Sequence, residues 1–190
     1  MTNIAIIGPQ GSGKTLLAEN LVQYQGFTRI GIADPIKKMV DETYHSLPKN
    51  ETIKIHKYSG DHVLTGREVL QGIGAALREF DNDFWLRQFR SRYAIAERAG
   101  HSIVCDDMRL AREVHYVKMF DPAVVVVCLM ASPEERARRL GSPLIAPNDV
   151  TELGWMNAAY DFMVNTSHYA PDEVFAEVMG YIHSIEGGQI

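Results

Sequence analysis

At 190 residues and 46% hydrophobic content, the chain is long enough to bury a core and suits one domain. Its net charge of -5 excludes broad, non-specific nucleic-acid binding while leaving room for a local basic pocket. Two cysteines, Cys105 and Cys128, sit inside apolar runs, and no Cys-x-x-Cys or His/Cys cluster occurs, which argues against a disulfide framework or a zinc site.

The chain begins with "NIAII", an apolar run that reads as a buried strand, followed by "GPQGSGKT" at 8–15 and a helix to about Gln25. "FTRIGIA" reads as a second strand stopped by Asp34 and Pro35, and 36–47 as a helix. The polar stretch from there to Gly60 carries little pattern and is expected to be a loop. Thr65 with Glu68 three residues later is a capping box, and Val69, Leu70, Ile73, Ala76, Leu77 and Phe80 recur at helical spacing behind it. Asp83 is placed to cap a further helix to about Gly100. "SIVCDD" is a third strand, 110–118 a helix, and "AVVVVCLM" a fourth strand. Ser132 and Pro133 open the next helix, with two glutamates in its first turn. A Pro- and Gly-rich segment, 141–154, precedes a short fifth strand, "DFMVN", and a closing helix from Pro171 to about Ile185.

Continuous apolar strands alternating with helices predict an α/β fold with a parallel sheet covered on both faces. No apolar run is long enough to span a bilayer, and the N-terminus carries no signal-like region, so a soluble cytoplasmic protein is expected.

"GPQGSGKT" matches the phosphate-loop pattern G-x-x-x-x-G-K-[ST] at every fixed position, between a strand and a helix as that motif requires. Gly8, Gly11 and Gly13 let the backbone turn its N–H groups, that of Ser12 among them, toward phosphate oxygens. The following helix points its positive end at the same anion. Lys14 is expected to reach the β- and γ-phosphates of ATP, and Thr15 to offer its hydroxyl to Mg2+. No N-K-x-D or D-x-x-G motif of a GTPase occurs. Arg67, Arg78, Arg87, Arg109, Arg136, Arg138 and Arg139 cluster at places that the helical reading puts near strand ends. When the acceptor is itself a phosphate, no strong general base is needed. The obstacle is repulsion between polyanions, which arginine forks relieve. His56, His62, His101, His115 and His168, five of the seven histidines, show no metal-binding spacing and read as surface or loop residues.

"ADPIKKM", "REVLQGIGAALRE" followed by "DFW", and "VCDDMRLAREV" together resemble the phage-type deoxynucleoside monophosphate kinases, a group within the nucleoside monophosphate kinase branch of phosphate-loop proteins. The resemblance runs from the loop to the closing helix. It implies a three-layer αβα sandwich on a five-stranded parallel sheet, in one domain over 1–190. A helical acceptor-binding region would lie at about 34–100 and a lid at about 136–157. By the same resemblance, Gly11 to Thr15 would hold ATP phosphates, with Mg2+ at Thr15. Asp34, Lys37, Arg67, Gly74, Ala75 and Trp85 would receive the deoxynucleotide, Trp85 giving an aromatic face to its base. Asp107 would face sugar, phosphate or metal-bound water, and is favoured over Asp106 because it belongs to the D-x-R spacing. Arg109 would bind phosphate, Arg136 and Arg139 would close over ATP, and Asn165 with Thr166 would lie by the adenine.

The resemblance leaves room for a homodimer and, for a phage source, implies work in the host cytoplasm. Ala75 departs from the small polar residue often found there, and "GSPLIAPNDVTELGW" has no clear counterpart. A dephospho-coenzyme-A kinase-like enzyme and an ATP-binding switch protein are the competing expectations.

Overall fold

Ile4–Ile7 form the first strand, β1, every residue of it buried, because both of its neighbours in the sheet and helices on both faces exclude water from it. The computed structural model describes residues 2–45, 47–141 and 153–188. Within it the chain divides into two compact units, Met1–Gly31 with Arg90–Ile190, and Ile32–Phe89.

In the first unit β1 is followed by α1 (Lys14–Gln25), then by β2 (Thr28–Arg29), β5 (Ile103–Cys105), β6 (Val125–Met130) and β7 (Phe162–Asn165). The order across the sheet is β2-β5-β1-β6-β7 and every pairing is parallel. Parallel neighbours need crossover connections, and the helices supply them. α1 lies between β1 and β2, α5 (Ala111–Phe120) between β5 and β6, and α6 (Pro133–Leu140) between β6 and β7, while α7 (Pro171–Gly187) follows β7 and packs back on the sheet. Ile4, Ile6, Val104, Val125, Val127 and Leu129 of the strands pack with Leu17 and Leu21 of α1 and Val178 and Ile182 of α7 as one apolar core. The helix starts follow the chemistry read from the sequence. Ser132 Oγ accepts from Glu135 N at 3.2 Å, and Pro133 occupies the first turn of α6, where its missing N–H costs nothing.

A polar network pins the N-terminal end of this sheet. Asn3 donates to Asp121 Oδ2 at 2.9 Å, and its own side-chain oxygen accepts from Ile103 N at 2.8 Å. The buried Tyr93 hydroxyl donates to the same Asp121 oxygen at 2.5 Å. Burial, with the Asp121 carboxylate beside it, raises the Tyr93 pKa, so the phenol stays a donor at every physiological pH.

The second unit holds α2 (Asp34–Tyr44), a hairpin of β3 (Thr52–Lys57) and β4 (Gly60–Thr65), α3 (Gly66–Phe80), and the first residues of α4 (Phe84–Arg98), whose remainder belongs to the first unit. The capping box at Thr65 is present, with Thr65 N donating to Glu68 Oε2 at 2.7 Å and Glu68 N to Thr65 Oγ1 at 3.2 Å. The hairpin replaces the loop expected before Gly60. Its period-2 pattern sets Ile53, Ile55, His62 and Leu64 on one half-buried face, while Lys54, His56, Asp61 and Val63 face water. The expected acceptor region at 34–100 overlaps this unit, which is a mixed hairpin-and-helix body rather than a purely helical one. At the start of α4 the side-chain contacts come from Asp81 rather than the expected Asp83. Asp81 Oδ1 accepts from Asp83 N at 2.9 Å and Oδ2 from Arg87 Nε at 3.0 Å. Phe80 and Ala76, expected on the apolar face of α3, are exposed. Of the expected lid at 136–157, residues 142–152 lie outside the described residues.

Candidate active site

The loop between β1 and α1 turns through three glycines with positive φ, Gly8 at 133°, Gly11 at 79° and Gly13 at 98°. A Cβ on Gly11 would stand 3.1–3.2 Å from the Cβ, Cα and carbonyl oxygen of Arg136, so the loop backbone lies directly against the first turns of α6. The loop is tied at several points. Thr166 Oγ1 lies 3.0 Å from both Ser12 O and Met130 O, Arg139 donates to Gly11 O at 3.3 Å, and Arg136 to Gln10 O at 3.4 Å. Lys14 Nζ donates to Gly8 O at 2.8 Å and to Pro9 O at 2.7 Å, which holds the ammonium over its own loop.

Thr15 Oγ1 donates to Asp106 Oδ2 at 2.9 Å, joining the start of α1 to the residue just past β5. Asp106 also receives a bidentate fork from Arg29, Nε to Oδ1 at 2.8 Å and a terminal nitrogen to Oδ2 at 2.6 Å. Burial pulls the Arg29 pKa down, but its hydrogen bonds and charge pairing with Asp106 outweigh that and leave it raised. Asp107, favoured from the D-x-R spacing, turns instead beside Cys105, whose thiol donates to Asp107 Oδ1 at 3.4 Å. The carboxylate set against the phosphate loop is therefore that of Asp106. Arg109 is exposed just beyond, its backbone N–H donating to Glu113 Oε2 at 2.6 Å. Burial pushes the Glu113 carboxyl above its usual range, against the lowering effect of the Arg109 and Leu110 N–H groups.

Beside the loop lies a cleft of about 390 Å3, lined by Ser12, Gly13, Leu16 and Leu17, by Glu135, Arg138 and Arg139 of α6, and by Thr166 to Val174 residues that include Tyr169 and Pro171. Its size and its mix of apolar wall and few polar groups suit a small ligand. Glu135 accepts from Arg138 at 2.7 Å and from Arg139 at 2.8 Å. The Arg138 hydrogen bond first, then Arg139 and both charges, hold the Glu135 carboxyl down at about 2. The two arginines thus stay paired across the neutral range. Arg139 also donates to Thr166 O at 2.6 Å and to Thr166 Oγ1 at 2.9 Å. Of the two residues expected near adenine, Thr166 lines the cleft, whereas Asn165 is exposed and uses its side-chain oxygen to cap the turn at Thr166–His168.

The residues expected on the acceptor side lie in the second unit or beyond the phosphate loop. Asp34 and Lys37 start α2 as an exposed pair 3.4 Å apart. Arg67 is half-buried at the start of α3, its N–H donating to Lys49 O at 3.0 Å. Ala75 is exposed, and Gly74 is buried, a Cβ there standing 3.4 Å from Ile36 Cδ1. Trp85 departs from its expected part. It is 4% exposed, its indole N–H donates to Gly74 O at 3.0 Å, and Phe84 packs edge-on against its ring. A ring enclosed in this way fixes α4 against α3 and has no face left for a base. Trp85→Phe is accordingly expected to lower stability by about 1–2 kcal/mol, since Gly74 O loses its donor, and to leave the KM of every nucleotide unchanged. Thermal melts with steady-state kinetics check this, and a raised KM with unchanged stability would restore the base-platform reading.

The residues fit a nucleoside triphosphate with Mg2+. Ser12 Oγ is buried and makes no hydrogen bond among the described residues, which leaves a polar atom inside the loop to be satisfied by a ligand. The Thr15 hydroxyl is a hard oxygen donor of the kind Mg2+ takes, and the Asp106 carboxylate stands behind it. Among the described residues no group of three His, Cys, Asp or Glu stands ready to bind a metal without a nucleotide, and no helix is long and apolar enough to cross a membrane.

A parallel β2-β5-β1-β6-β7 sheet between helices, with a phosphate loop after β1, is the phosphate-loop kinase form of the αβα sandwich. A sugar kinase from a Janibacter species has a similar structure, with a TM-score of 0.59 at 14% identity over 96% of this chain and 94% of that one. So has a dephospho-CoA kinase from Campylobacter jejuni, with a TM-score of 0.56 at 14% identity over 99% and 98% of the two chains. Shikimate kinase from Acinetobacter baumannii, in complex with shikimate, matches with a TM-score of 0.51 at 14% identity over 100% and 96%. No family model and no curated protein matches the chain by sequence. At this identity the likeness defines the fold, and the substrate must be argued from the residues.

Proposed function

We propose that the protein is an ATP-dependent kinase that phosphorylates a deoxynucleoside 5'-monophosphate to the diphosphate, working on small molecules in the cytoplasm. The observation that carries the donor half is the phosphate loop, with Lys14 and Thr15 at its end, opening beside the cleft that reaches Tyr169 and Pro171. A base would lie in the cleft and its phosphates along the loop N–H groups and the start of α1. Mg2+ bound with the nucleotide would be held by Thr15 and, through it, by Asp106, and would neutralise donor charge. Lys14 leaves its loop carbonyls to meet the transferred group, and Arg136 supplies a second positive charge from α6. An acceptor phosphate is already ionised, so no side chain need remove a proton. Arg109 is assigned to hold that phosphate. The acceptor's identity rests on the resemblance of "REVLQGIGAALRE" and "CDDMR" to the deoxynucleotide kinases, with Asp34, Lys37 and Arg67 as its polar contacts.

The similarity to dephospho-CoA kinase favours one alternative, a kinase for another phosphorylated metabolite. A coupled ADP-release assay over dNMPs, NMPs, dephospho-CoA, shikimate and gluconate separates the readings. Turnover is expected with one or more dNMPs, and turnover with dephospho-CoA alone would replace the acceptor. Arg109→Ala is expected to raise the acceptor KM about tenfold or more while leaving the KM for ATP within twofold. An unchanged acceptor KM would remove Arg109 from the site.

A further inference from the structure

Arg29 is an exposed residue of β2, the short strand at the edge of the sheet, and its guanidinium fills both oxygens of Asp106. Asp106 has a side chain 3% exposed, and Arg29 one 36% exposed, so the carboxylate is enclosed and the cation closes it from the solvent side. A buried carboxylate with one partner removed keeps a charge that nothing offsets. Thr15 supplies the third bond to Asp106, donating its only hydroxyl proton there. Both lone pairs of the Thr15 oxygen are thereby left for a cation.

Resting on the kinase reading above, we infer that Arg29 is a positioning residue for the divalent cation: it occupies and neutralises Asp106, so that Asp106 orients the Thr15 hydroxyl instead of binding the cation itself. The relay runs Arg29 to Asp106 to Thr15, three residues from β2, the end of β5 and α1. With the Arg29 and Asp106 charges cancelling, the nucleotide-free protein presents a neutral hydroxyl, which binds Mg2+ weakly. A cation bound together with the triphosphate would meet the Thr15 oxygen, which the relay holds in one orientation. Lys14 is turned to the carbonyls of Gly8 and Pro9, so it is already engaged elsewhere while the relay is assembled. Without Arg29 the enclosed carboxylate becomes a hard anionic ligand in its own right, and a free divalent cation is the partner that replaces the lost charge.

The test is Mn2+ binding to the nucleotide-free protein, followed by the loss of the free Mn2+ electron paramagnetic resonance signal. Arg29→Gln is expected to bind Mn2+ about tenfold more tightly than the wild type, and Arg29→Gln with Asp106→Asn to return to the wild-type affinity. Arg29→Lys keeps the charge but cannot fill both oxygens, so it is expected to fall between the two. It also serves as the informative variant should the glutamine protein fail to fold by circular dichroism. A folded Arg29→Gln or Arg29→Lys protein with wild-type Mn2+ affinity overturns the role of Arg29, as does tightening that survives Asp106→Asn. Calorimetry of Mg·ATP with the wild type keeps the two readings apart, because a wild type that binds no ATP overturns the kinase assignment and says nothing against the Mn2+ result.

Discussion

Replacing Lys14 with alanine is expected to lower turnover about a thousandfold or more while leaving the protein folded. The size of the effect follows from where charge develops. A metaphosphate-like group carries its negative charge on the oxygens that the loop lysine reaches, in a site where little water screens the interaction. The small structural effect follows from the contacts. Lys14 contributes two hydrogen bonds to Gly8 O and Pro9 O, but the loop is also held by Thr166 near Ser12 O and by Arg139 at Gly11 O. Those ties do not involve Lys14, so the loop keeps its course when the ammonium is removed. ADP-release assays, ATP calorimetry and thermal melts on the same variant check the two halves. Near-wild-type turnover would mean that the loop holds a nucleotide without transferring its phosphate, which would favour the switch-protein alternative.

Much of the first unit is legible in the sequence because its signals are local. The buried strands are continuous apolar runs, α6 opens on Ser132 and Pro133, and the loop motif fixes the junction of β1 with α1. The hairpin of the second unit was legible only in part. Ile53 and Ile55 alternate with polar residues and Ser59-Gly60 marks a turn, but charged residues and histidines on the outward face dilute the pattern below that of a typical strand.

The site shows the same division between local and distant information. Lys14 and Thr15 follow from the motif, whereas Asp106 against Asp107 does not, because β5 ends at Cys105 and alternation no longer decides which carboxylate turns inward. The deciding partner is Arg29, 77 positions away in sequence. One signal for it was present: an arginine inside the apolar run "FTRIGIA" can pair with an acid at another strand end, and Asp106 and Asp107 directly follow the apolar run "IVC". Trp85 illustrates the reverse error. The resemblance to deoxynucleotide kinases suggested an aromatic face offered to a base, but a large side chain on the buried side of a helix gains more from enclosure, once its N–H finds Gly74 O.

Gly8→Ala is expected to be the most damaging single methyl in the loop, lowering stability by about 4 kcal/mol and the melting temperature by about 10 °C. The glycines of the motif share a letter but not a reason. At Gly8 an added Cβ would stand 2.0 Å from the carbonyl oxygen of Leu129, backbone of the neighbouring strand β6, and φ is 133°. That oxygen is backbone and cannot rotate away as a side chain would. Relief therefore requires β1 and β6 to separate at the end that positions the loop, or the peptide to leave a conformation that alanine strongly disfavours.

At Gly13 φ is 98°, but an added Cβ would meet nothing within 4 Å, so only the conformational strain remains, about 1–2 kcal/mol. Thermal and urea melts of the two alanine variants test this order directly. Equal losses would show that conformational strain alone governs the loop and that the approach of Gly8 to β6 adds nothing. The predicted order also has a functional side. A Gly13→Ala protein should remain folded while its altered N–H direction weakens ATP binding, which calorimetry reads separately from stability. Gly8→Ala, by contrast, should lose stability and ATP binding together, because the strand that carries the loop is itself displaced.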